Sequence, residues 1–512
     1  MSLESVTNSI DDAVSDFFEP VAEHVGNFVF YAVPVGDTEL PLIVAWLVIA
    51  GLVFTTWFGL IQVRRFKLAF DVVRGKYDED GSPGEVNHFQ ALTAAVSGTV
   101  GLGNIAGVAV AVSIGGPGAT FWMILCGLLG MATKFVEVTL GVRYREEHAD
   151  GTVSGGPMHY LPKGFAERFG KGGAKFGKVL AVLASIMILF FGLFGGNLFQ
   201  TNQSYAQVAS TFGGEDGFMA SSAGAVLFGL VVAALVGLVL LGGIRSIASV
   251  TSKLVPAMAG LYIVACIVVI VGNISAVPQA VEDIIDGAFN APGVTGGVLG
   301  ALIVGFQRAA FSNEAGLGSA PIAHSAVKTK HPASEGLVAL LEPFIDTVII
   351  CTMTALTITI ANPPSYLEAR EGKAEEIGGV TITSDAFATV LPWFPDVLTV
   401  AVLLFAFSTI LTWGYYGLKA WTYLFGKSKA SETIFKALWS VFVVAGSLLS
   451  LDTLISLADS ALFTLAVFNI IGLYLLTPFV KRELNSFLEF VKRRKAGLPD
   501  VAEEPQPAKS LD

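Results

Sequence analysis

Long apolar runs separated by short polar segments are the dominant pattern of this 512-residue chain. A helix that crosses a bilayer needs about 20 mostly apolar residues. Runs of that kind predict eleven membrane spans, at residues 39–62, 92–115, 119–141, 179–202, 223–242, 248–272, 297–325, 336–361, 395–423, 433–449 and 452–478. The run 297–325 also contains Ser, Asn, Glu, Gly and Pro, so we expect a broken helix there.

Composition supports a polytopic all-α membrane protein surrounded by membrane lipids. Hydrophobic residues make up 53% of the chain and charged residues only 14%, whereas soluble domains carry about 25% charged residues. The formal net charge is −11. A chain without a basic excess is poorly suited to neutralise phosphates, so we expect no nucleic-acid partner.

Basic residues in the short loops predict the orientation of the chain in the membrane. Arg64, Arg65 and Lys67 follow the first span, and if spans alternate, nearly all other loop Lys and Arg residues fall on that same side. Only Arg370 and Lys373 lie on the opposite side. Because cytoplasmic loops are enriched in Lys and Arg, we expect a multi-pass protein of the cell membrane with its N-terminus outside and its C-terminus in the cytoplasm.

The spans also predict how the chain is divided. The first span is an accessory helix, and the other ten form two sets of five. The expected segments are an extracellular N-terminal segment (1–38), the accessory helix (39–62), the first five-helix repeat (92–272), a second, inverted five-helix repeat (297–478) and a cytoplasmic tail (479–512).

A Gly-Leu-Gly sequence occurs in the first helix of each predicted repeat, at Gly101 to Gly103 and at Gly316 to Gly318. Paired glycine-interrupted segments at corresponding positions of two halves indicate the binding site of a secondary transporter. Glycine releases backbone from the helix, and non-helical backbone at membrane depth must line a cavity or be buried in protein. The alternative is that these glycines only allow close helix packing.

Several motifs resemble those of the alanine or glycine:cation symporter family. They are Gln90-Ala91-Leu92, the run from Gly101 to Gly107, Gly115 to Ala119 followed by Phe121-Trp122-Met123, Ser154 to Met158, and Phe311 to Pro321. The resemblance covers about residues 86–478. It implies the five-plus-five inverted repeat of leucine-transporter-type proteins and sodium-coupled import of small neutral amino acids by alternating access.

A zwitterionic amino acid needs hydrogen-bond donors for its carboxylate and acceptors for its amine. We expect backbone N–H groups at Leu102, Gly103 and Asn104 to serve the carboxylate, with a hydroxyl from Thr99 nearby. Carbonyl groups near Phe311 and Ser312 are candidates for the amine. Asn197 and Gln200 lie three residues apart and are predicted to share a helix face; the alternative for both is a helix-to-helix hydrogen bond.

The resemblance also implies a sodium site between the first broken helix and the eighth helix of the ten. Its expected ligands are the carbonyls of Ser97, Val100 and Phe405 and the hydroxyls of Ser408 and Thr409. Trp413 lies one helical turn beyond Thr409 and is expected to limit the size of the substrate side chain. A packing or lipid-facing aromatic is the alternative.

Ionisable residues at membrane depth are candidate functional groups because they are costly there. They are Lys134, Glu137, Arg308, Glu314, Glu342, Asp346 and Asp459. We expect Lys134 and Glu137 to reach toward the cytoplasmic surface, and Arg308 and Glu314 to form an ion-pair cluster with Glu342 or Asp346.

Other classes fit the sequence less well. It has no HExxH pair or GxSxG elbow, which disfavours an intramembrane enzyme, and inverted halves within one chain favour alternating access over a channel. The choice among alanine, glycine, serine and D-enantiomers, the choice between sodium and proton coupling, transport of another small zwitterion, and the oligomeric state are open at this stage.

Overall fold

The computed structural model describes residue 20 and residues 23–35, 38–213, 217–290, 294, 296–449 and 451–498. Most of the predicted extracellular segment 1–38 and the end of the predicted tail 479–512 lie outside these residues. Two short antiparallel strands, β1 (Ala32–Val35) and β2 (Thr38–Pro41), lead into the first long helix.

The described chain is otherwise almost entirely helical. The helices of the first half are α1 (Leu42–Trp57), α2 (Ile61–Arg64), α3 (Phe66–Val73), α4 (His88–Thr99), α5 (Ala106–Ile114), α6 (Ala119–Arg143), α7 (Pro157–Leu193), α8 (Phe199–Phe212), α9 (Ser222–Leu240), α10 (Gly243–Gly272) and α11 (Val277–Phe289). A second hairpin, β3 (Glu146–Glu147) with β4 (Val153–Ser154), lies between α6 and α7.

The second half begins at the helix that was predicted to be broken. Its helices are α12 (Gly297–Asn313), α13 (Ala320–His324), α14 (Pro332–Ala339), α15 (Leu341–Pro343), α16 (Thr352–Ala361), α17 (Pro364–Glu368), α18 (Ala374–Ile377), α19 (Gly379–Ala388), α20 (Phe394–Phe425), α21 (Lys429–Gly446) and α22 (Leu451–Lys495). Three π-helical segments interrupt the α-helices, at Phe194–Leu198, Phe344–Cys351 and Ala369–Lys373.

Helix occupies each of the eleven predicted spans. Within the described chain, seven helices are long and apolar enough to cross a membrane, or eight if the bent pair around the first break is counted as one span. The predicted spans missing from that count include α1, which has only 16 residues, and the broken helix formed by α12 and α13. The all-α polytopic architecture is therefore confirmed.

Both Gly-Leu-Gly segments interrupt a helix, as predicted. The first break separates α4 from α5, whose axes differ by 60°, and a 3₁₀ turn at Leu102–Asn104 lies between them. The start of α4 is fixed by a capping box, because the Asn87 side chain accepts from the Gln90 N–H at 2.8 Å while Gln90 accepts from the Asn87 N–H at 3.2 Å. The second break lies between the end of α12 at Asn313 and the start of α13 at Ala320.

Close backbone contact holds α6 against the loop helix α11. Gly118, just before α6, lies so near Gly287 that an added Cβ would be 2.1 Å from the Gly287 carbonyl carbon. A side chain is excluded at that position unless one backbone moves. Gly237, within α9, is different, because an added Cβ there would have no neighbouring atom within 4 Å.

We predict that Gly118→Ala lowers the melting temperature of the detergent-purified protein. Overpacking of a close contact costs about 1–3 kcal/mol. Gly237→Ala is the matched control and is expected to leave the melting temperature unchanged or raise it, since Ala favours helix. Equal melting temperatures for Gly118→Ala and the parent would show that α11 moves away at no cost.

Candidate functional site

The first break is held by polar side chains that bond to its freed backbone. Asn104 Oδ1 accepts from the Gly101 N–H at 2.9 Å, and Gln200 Oε1, from α8, accepts from the Leu102 N–H at 3.0 Å. All of these residues are buried. The expected carboxylate donors at Leu102, Gly103 and Asn104 therefore lie in the break itself, and Gln200 bonds to the first of them.

The second break depends on left-handed backbone. Glu314, Gly316 and Gly318 have φ values of 55°, 96° and 79°, a region that glycine enters without strain. The freed backbone is bound from two other helices: Glu137 of α6 accepts from the Gly318 N–H at 3.2 Å, and the Asn469 side chain of α22 donates to the Gly316 carbonyl at 2.8 Å.

A buried carboxylate connects the two breaks. Asp346, in the π-helical segment Phe344–Cys351, accepts from Asn104 Nδ2 at 2.6 Å and from the Ser312 hydroxyl at 2.9 Å. The Thr347 hydroxyl donates to the same carboxylate at 2.7 Å. One residue from each broken helix is thus fixed to a common acceptor, which sets the position of α4 and α5 relative to α12.

The five expected sodium ligands lie together, between the first break and α20. Thr409 Oγ1 is 3.1 Å from the Ser97 carbonyl oxygen and 3.5 Å from that of Val100. Ser408 Oγ is 3.4 Å from the Ser97 carbonyl oxygen and 3.0 Å from that of Phe405. The resulting group contains three carbonyls and two hydroxyls, all on buried residues, and oxygen ligands of this kind suit a hard cation.

Glycine at position 101 makes this approach possible. A Cβ there would lie 2.5 Å from Thr409 Oγ1 and 3.0 Å from Gln200 Oε1. Any larger residue would push α20 or Gln200 away from the break. The two alternatives for this glycine thus hold together, because Gly101 lies at the helix break and also lets α20 come close.

Three aromatic rings pack together beside the breaks. Phe311 of α12 faces Gly103, since a Cβ on Gly103 would be 3.2 Å from the Phe311 ring. The Phe191 ring lies 5.7 Å from that of Phe311 and 4.6 Å from that of Trp413. Trp413 is fully buried and donates from its indole nitrogen to Glu314 at 3.0 Å, so it is not lipid-facing.

Two candidate substrate residues point elsewhere. The Asn197 amide donates to the Trp439 carbonyl of α21 at 3.0 Å, while Gln200 faces the first break. The two side chains were expected on one face, but Asn197 lies in the π-helical segment Phe194–Leu198, where the angular spacing differs from that of an α-helix. The Thr99 hydroxyl donates back to the Val96 carbonyl at 3.2 Å.

The ionisable residues pair differently from the sequence-based expectation. Lys134 does not reach the surface: it is completely buried, with its nitrogen 3.0 Å from Glu342 Oε2, and Glu137 is equally buried. Arg308 pairs with Asp459 of α22 rather than with Glu342 or Asp346. Glu314 accepts from Ser319 at 2.6 Å and from Trp413.

Three further buried ionisable residues were missed at sequence level. Glu335 contacts both His88 and His324 in the interior, although the two histidines lie at helix ends and the glutamate near the start of α14. Their sequence positions gave no signal, because a helix end is exposed in most proteins and His88 meets Glu335 across 247 residues of chain.

Comparison with known proteins identifies the family. Residues 30–502 match the sodium:alanine symporter family. The chain is 37% identical over 457 residues to the sodium/alanine symporter AgcS of Methanococcus maripaludis, covering 88% of this chain and 95% of that protein. It is 34% identical over 501 residues to the amino-acid carrier protein AlsT of Bacillus subtilis, covering 98% and 95% of the two chains.

Comparison with solved structures supports the predicted fold. The structure of MhsT in complex with L-phenylalanine aligns with 82% of this chain and 94% of its own, with a TM-score of 0.54 and 16% sequence identity. MhsT has the leucine-transporter fold, so the predicted fold class is confirmed. With its helical architecture and its match over most of its length, this chain belongs to the sodium:alanine symporter family, whose members are transporters rather than enzymes.

Proposed function

We propose that this protein imports alanine or glycine by alternating access, driven by the sodium gradient across the cell membrane. The observation that carries this proposal is the grouping of three carbonyls and two hydroxyls beside the first break. Unwound carbonyls and hydroxyls of a facing helix are how transporters of this kind bind a sodium ion. Sodium is here a transported substrate.

The amino acid would bind between the two breaks. The N–H groups of Leu102, Gly103 and Asn104 would receive its carboxylate. Gln200 would give up the Leu102 N–H that it accepts from at 3.0 Å, and the Asn104 N–H would leave the Gly101 carbonyl, to which it donates at 3.2 Å. Carbonyls at the end of α12, near Phe311 and Ser312, would receive the amine. Asn197 and Thr99 are more peripheral in this arrangement, because both are bonded elsewhere.

Alanine and glycine are favoured because the enclosing side chains are large and tightly packed. Trp413 lies against Gly196, where an added Cβ would be 2.4 Å from the indole, and Glu314 fixes its other edge. Phe311 closes the side toward Gly103. A methyl group or a hydrogen fits such a space better than a branched side chain.

The proposed orientation places the N-terminal segment outside and the C-terminal tail in the cytoplasm. The predicted cytoplasmic side contains Arg64, Arg65 and Lys67 beside the basic end of α22. Basic residues on one side of the membrane favour that side as the cytoplasmic one.

We predict sodium-dependent alanine uptake by the purified protein in proteoliposomes. An inward sodium gradient should drive accumulation of labelled alanine, and unlabelled glycine should compete. Serine and D-alanine complete the panel of competitors. Uptake that is unchanged when choline replaces external sodium would refute sodium coupling and favour a proton-coupled carrier of a small zwitterion.

Thr409→Ala should raise the sodium concentration for half-maximal uptake by roughly tenfold, equivalent to about 1.4 kcal/mol, because it removes one of the cation's oxygen ligands. Ser408→Ala should act in the same direction, and neither variant should reorder the preferred substrates. Thr422→Ala is the matched control on α20, since its hydroxyl bonds only to its own helix. Sodium activation curves identical to those of the parent would remove both hydroxyls from the site.

Shortening Trp413 should relax substrate selectivity. Trp413→Ala, and to a lesser extent Trp413→Phe, should let valine compete against labelled alanine while weakening alanine itself, since a change in side-chain complementarity shifts selectivity by about 1–3 kcal/mol. Trp421→Phe is the control, because Trp421 lies on the same helix but bonds to Ser431. Equal valine competition in Trp413→Ala and the parent would show that Trp413 is a packing residue only.

A further inference from the structure

A continuous series of charged and titratable side chains runs from one surface of the protein into its interior. Its first member is half exposed, its second is 4% exposed and the others are fully buried. In order, the members are Asp78, His88, Glu335, His324, Glu342 and Lys134. We call this series the buried relay.

Each member of the relay contacts the next through a different atom. His88 Nε2 lies 3.7 Å from Asp78 Oδ1, and His88 Nδ1 contacts Glu335 Oε2 directly. The other oxygen of Glu335 is 2.5 Å from His324 Nδ1. On the far side, His324 Nε2 is 3.1 Å from Glu342 Oε1, and Glu342 Oε2 is 3.0 Å from the Lys134 nitrogen.

The relay contains more ionisable side chains than a structural ion pair needs, with carboxylates and histidines in alternation. Lys134 and Glu342 alone would neutralise each other, whereas His324 bridges two carboxylates through both ring nitrogens. Each buried ionisable group carries a desolvation cost. Histidine is also the side chain that changes charge most readily near neutral pH, and both relay histidines connect two carboxylates.

We propose that the buried relay carries a proton from the cytoplasm to Glu342, next to the second break. The proposal rests on the proposed transport function and orientation, which place Asp78 on the cytoplasmic side. A proton binds His88 Nε2 while the proton on Nδ1 passes to Glu335 Oε2. The Glu335 carboxyl group then rotates so that this same proton faces His324 Nδ1 and is transferred to it. His324 releases its Nε2 proton to Glu342 Oε1. One proton enters, one resides on Glu342, and no electrons move.

Neutralising Glu342 changes the forces at the second break. The Lys134 ammonium loses its carboxylate partner and is left to Glu137, which lies one helical turn away on α6. Glu137 is the group that accepts from the Gly318 N–H and from Asn469. Protonation of Glu342 therefore removes an ion pair between α6 and α15. The Lys134 ammonium then interacts with Glu137, the residue that binds the Gly318 N–H of the break.

Other ionisable groups surround the relay and remain part of its electrostatics. Arg145 donates to the carbonyls of Ser325 and Val327, beside α13, and Glu314 faces Trp413 at the break. Among the described residues, the other charged or titratable groups in electrostatic contact with relay members or with Glu137 include Arg145, Tyr160, Glu314, Asp346 and Tyr416.

The test is the dependence of sodium-driven alanine uptake on internal pH, in proteoliposomes with the cytoplasmic face inside and the external pH held constant. Internal pH is varied between about 5 and 8, the range in which histidine titrates. We expect the initial uptake rate to rise as the internal pH falls, because protonation of Glu342 breaks the ion pair that joins α6 to α15. Glu335→Gln should lose this dependence, since Gln forms hydrogen bonds but passes on no proton.

His88→Gln, at the entrance, should lose the internal-pH dependence as well, and it provides the test if Glu335→Gln does not fold. His331→Gln is the matched control: His331 also pairs with a carboxylate, Glu79, at 3.2 Å, but its ring is outside the relay, so its pH profile should equal that of the parent. A parent profile that is flat or has the opposite slope, or a Glu335→Gln or His88→Gln profile equal to the parent's, overturns the relay.

The same vesicles separate this proposal from the proposed function. Uptake that needs sodium but ignores internal pH defeats the relay and leaves sodium symport intact. Absence of sodium-dependent uptake in the parent at every internal pH defeats the proposed function itself.

Discussion

Backbone freed from a helix inside a membrane has no water to bond with, and this constraint organises the centre of the protein. Each break therefore depends on polar side chains that reach across from other helices. At the first break, Gln200 of α8 accepts from the Leu102 N–H. At the second, Glu137 of α6 and Asn469 of α22 bind the backbone of Gly318 and Gly316. Without these partners the freed N–H and C=O groups would need hydrogen bonds within a regular helix or to water in a cavity.

In the proposed function, bonds of this kind are exchanged, which connects the architecture to transport. A substrate carboxylate would replace Gln200 at the Leu102 N–H with little change in the number of hydrogen bonds. A cation would similarly take the carbonyls of Ser97 and Val100 from the Thr409 hydroxyl, which lies near both. Binding then changes which groups satisfy the break without leaving buried polar atoms unpaired, and a ligand can shift a conformational equilibrium only through such differential contacts.

Much of this arrangement could be predicted from local sequence. Apolar length predicted the spans, and the paired glycines predicted where two of them break. These two features depend on short sequence patterns, so they can be recognised without knowing which distant helices touch. The expected ligands Ser97, Val100 and Thr409 were instead implied by the resemblance to a known family, and the structure places the Thr409 hydroxyl within 3.5 Å of the carbonyl oxygens of the other two.

Long-range pairing could not be predicted in the same way. Helical periodicity predicts a shared face only when the helix is regular, and the π-helical segment at Asn197 turns that residue toward α21 while Gln200 faces the break. Lys134 was expected to extend to the surface because it lies near a helix end. It stays buried because Glu342, more than two hundred residues later, lies opposite it. Charge in a sequence shows that a partner is needed, whereas the identity of the partner depends on the fold.

The two kinds of buried polar group differ in what they can do. Asp346 accepts only from neutral donors, namely Asn104, Ser312 and Thr347, and so it can join the two broken helices as a fixed connection. Lys134, by contrast, belongs to a group of ionisable side chains that pair with one another, through Glu342 and His324. The net charge of this group changes whenever one member gains or loses a proton. Because Glu137 belongs to that group and also binds the Gly318 N–H, the second break is exposed to the charge state of its surroundings. The first break, bound by the amides of Asn104 and Gln200, is sensitive instead to the ligands that compete for its backbone.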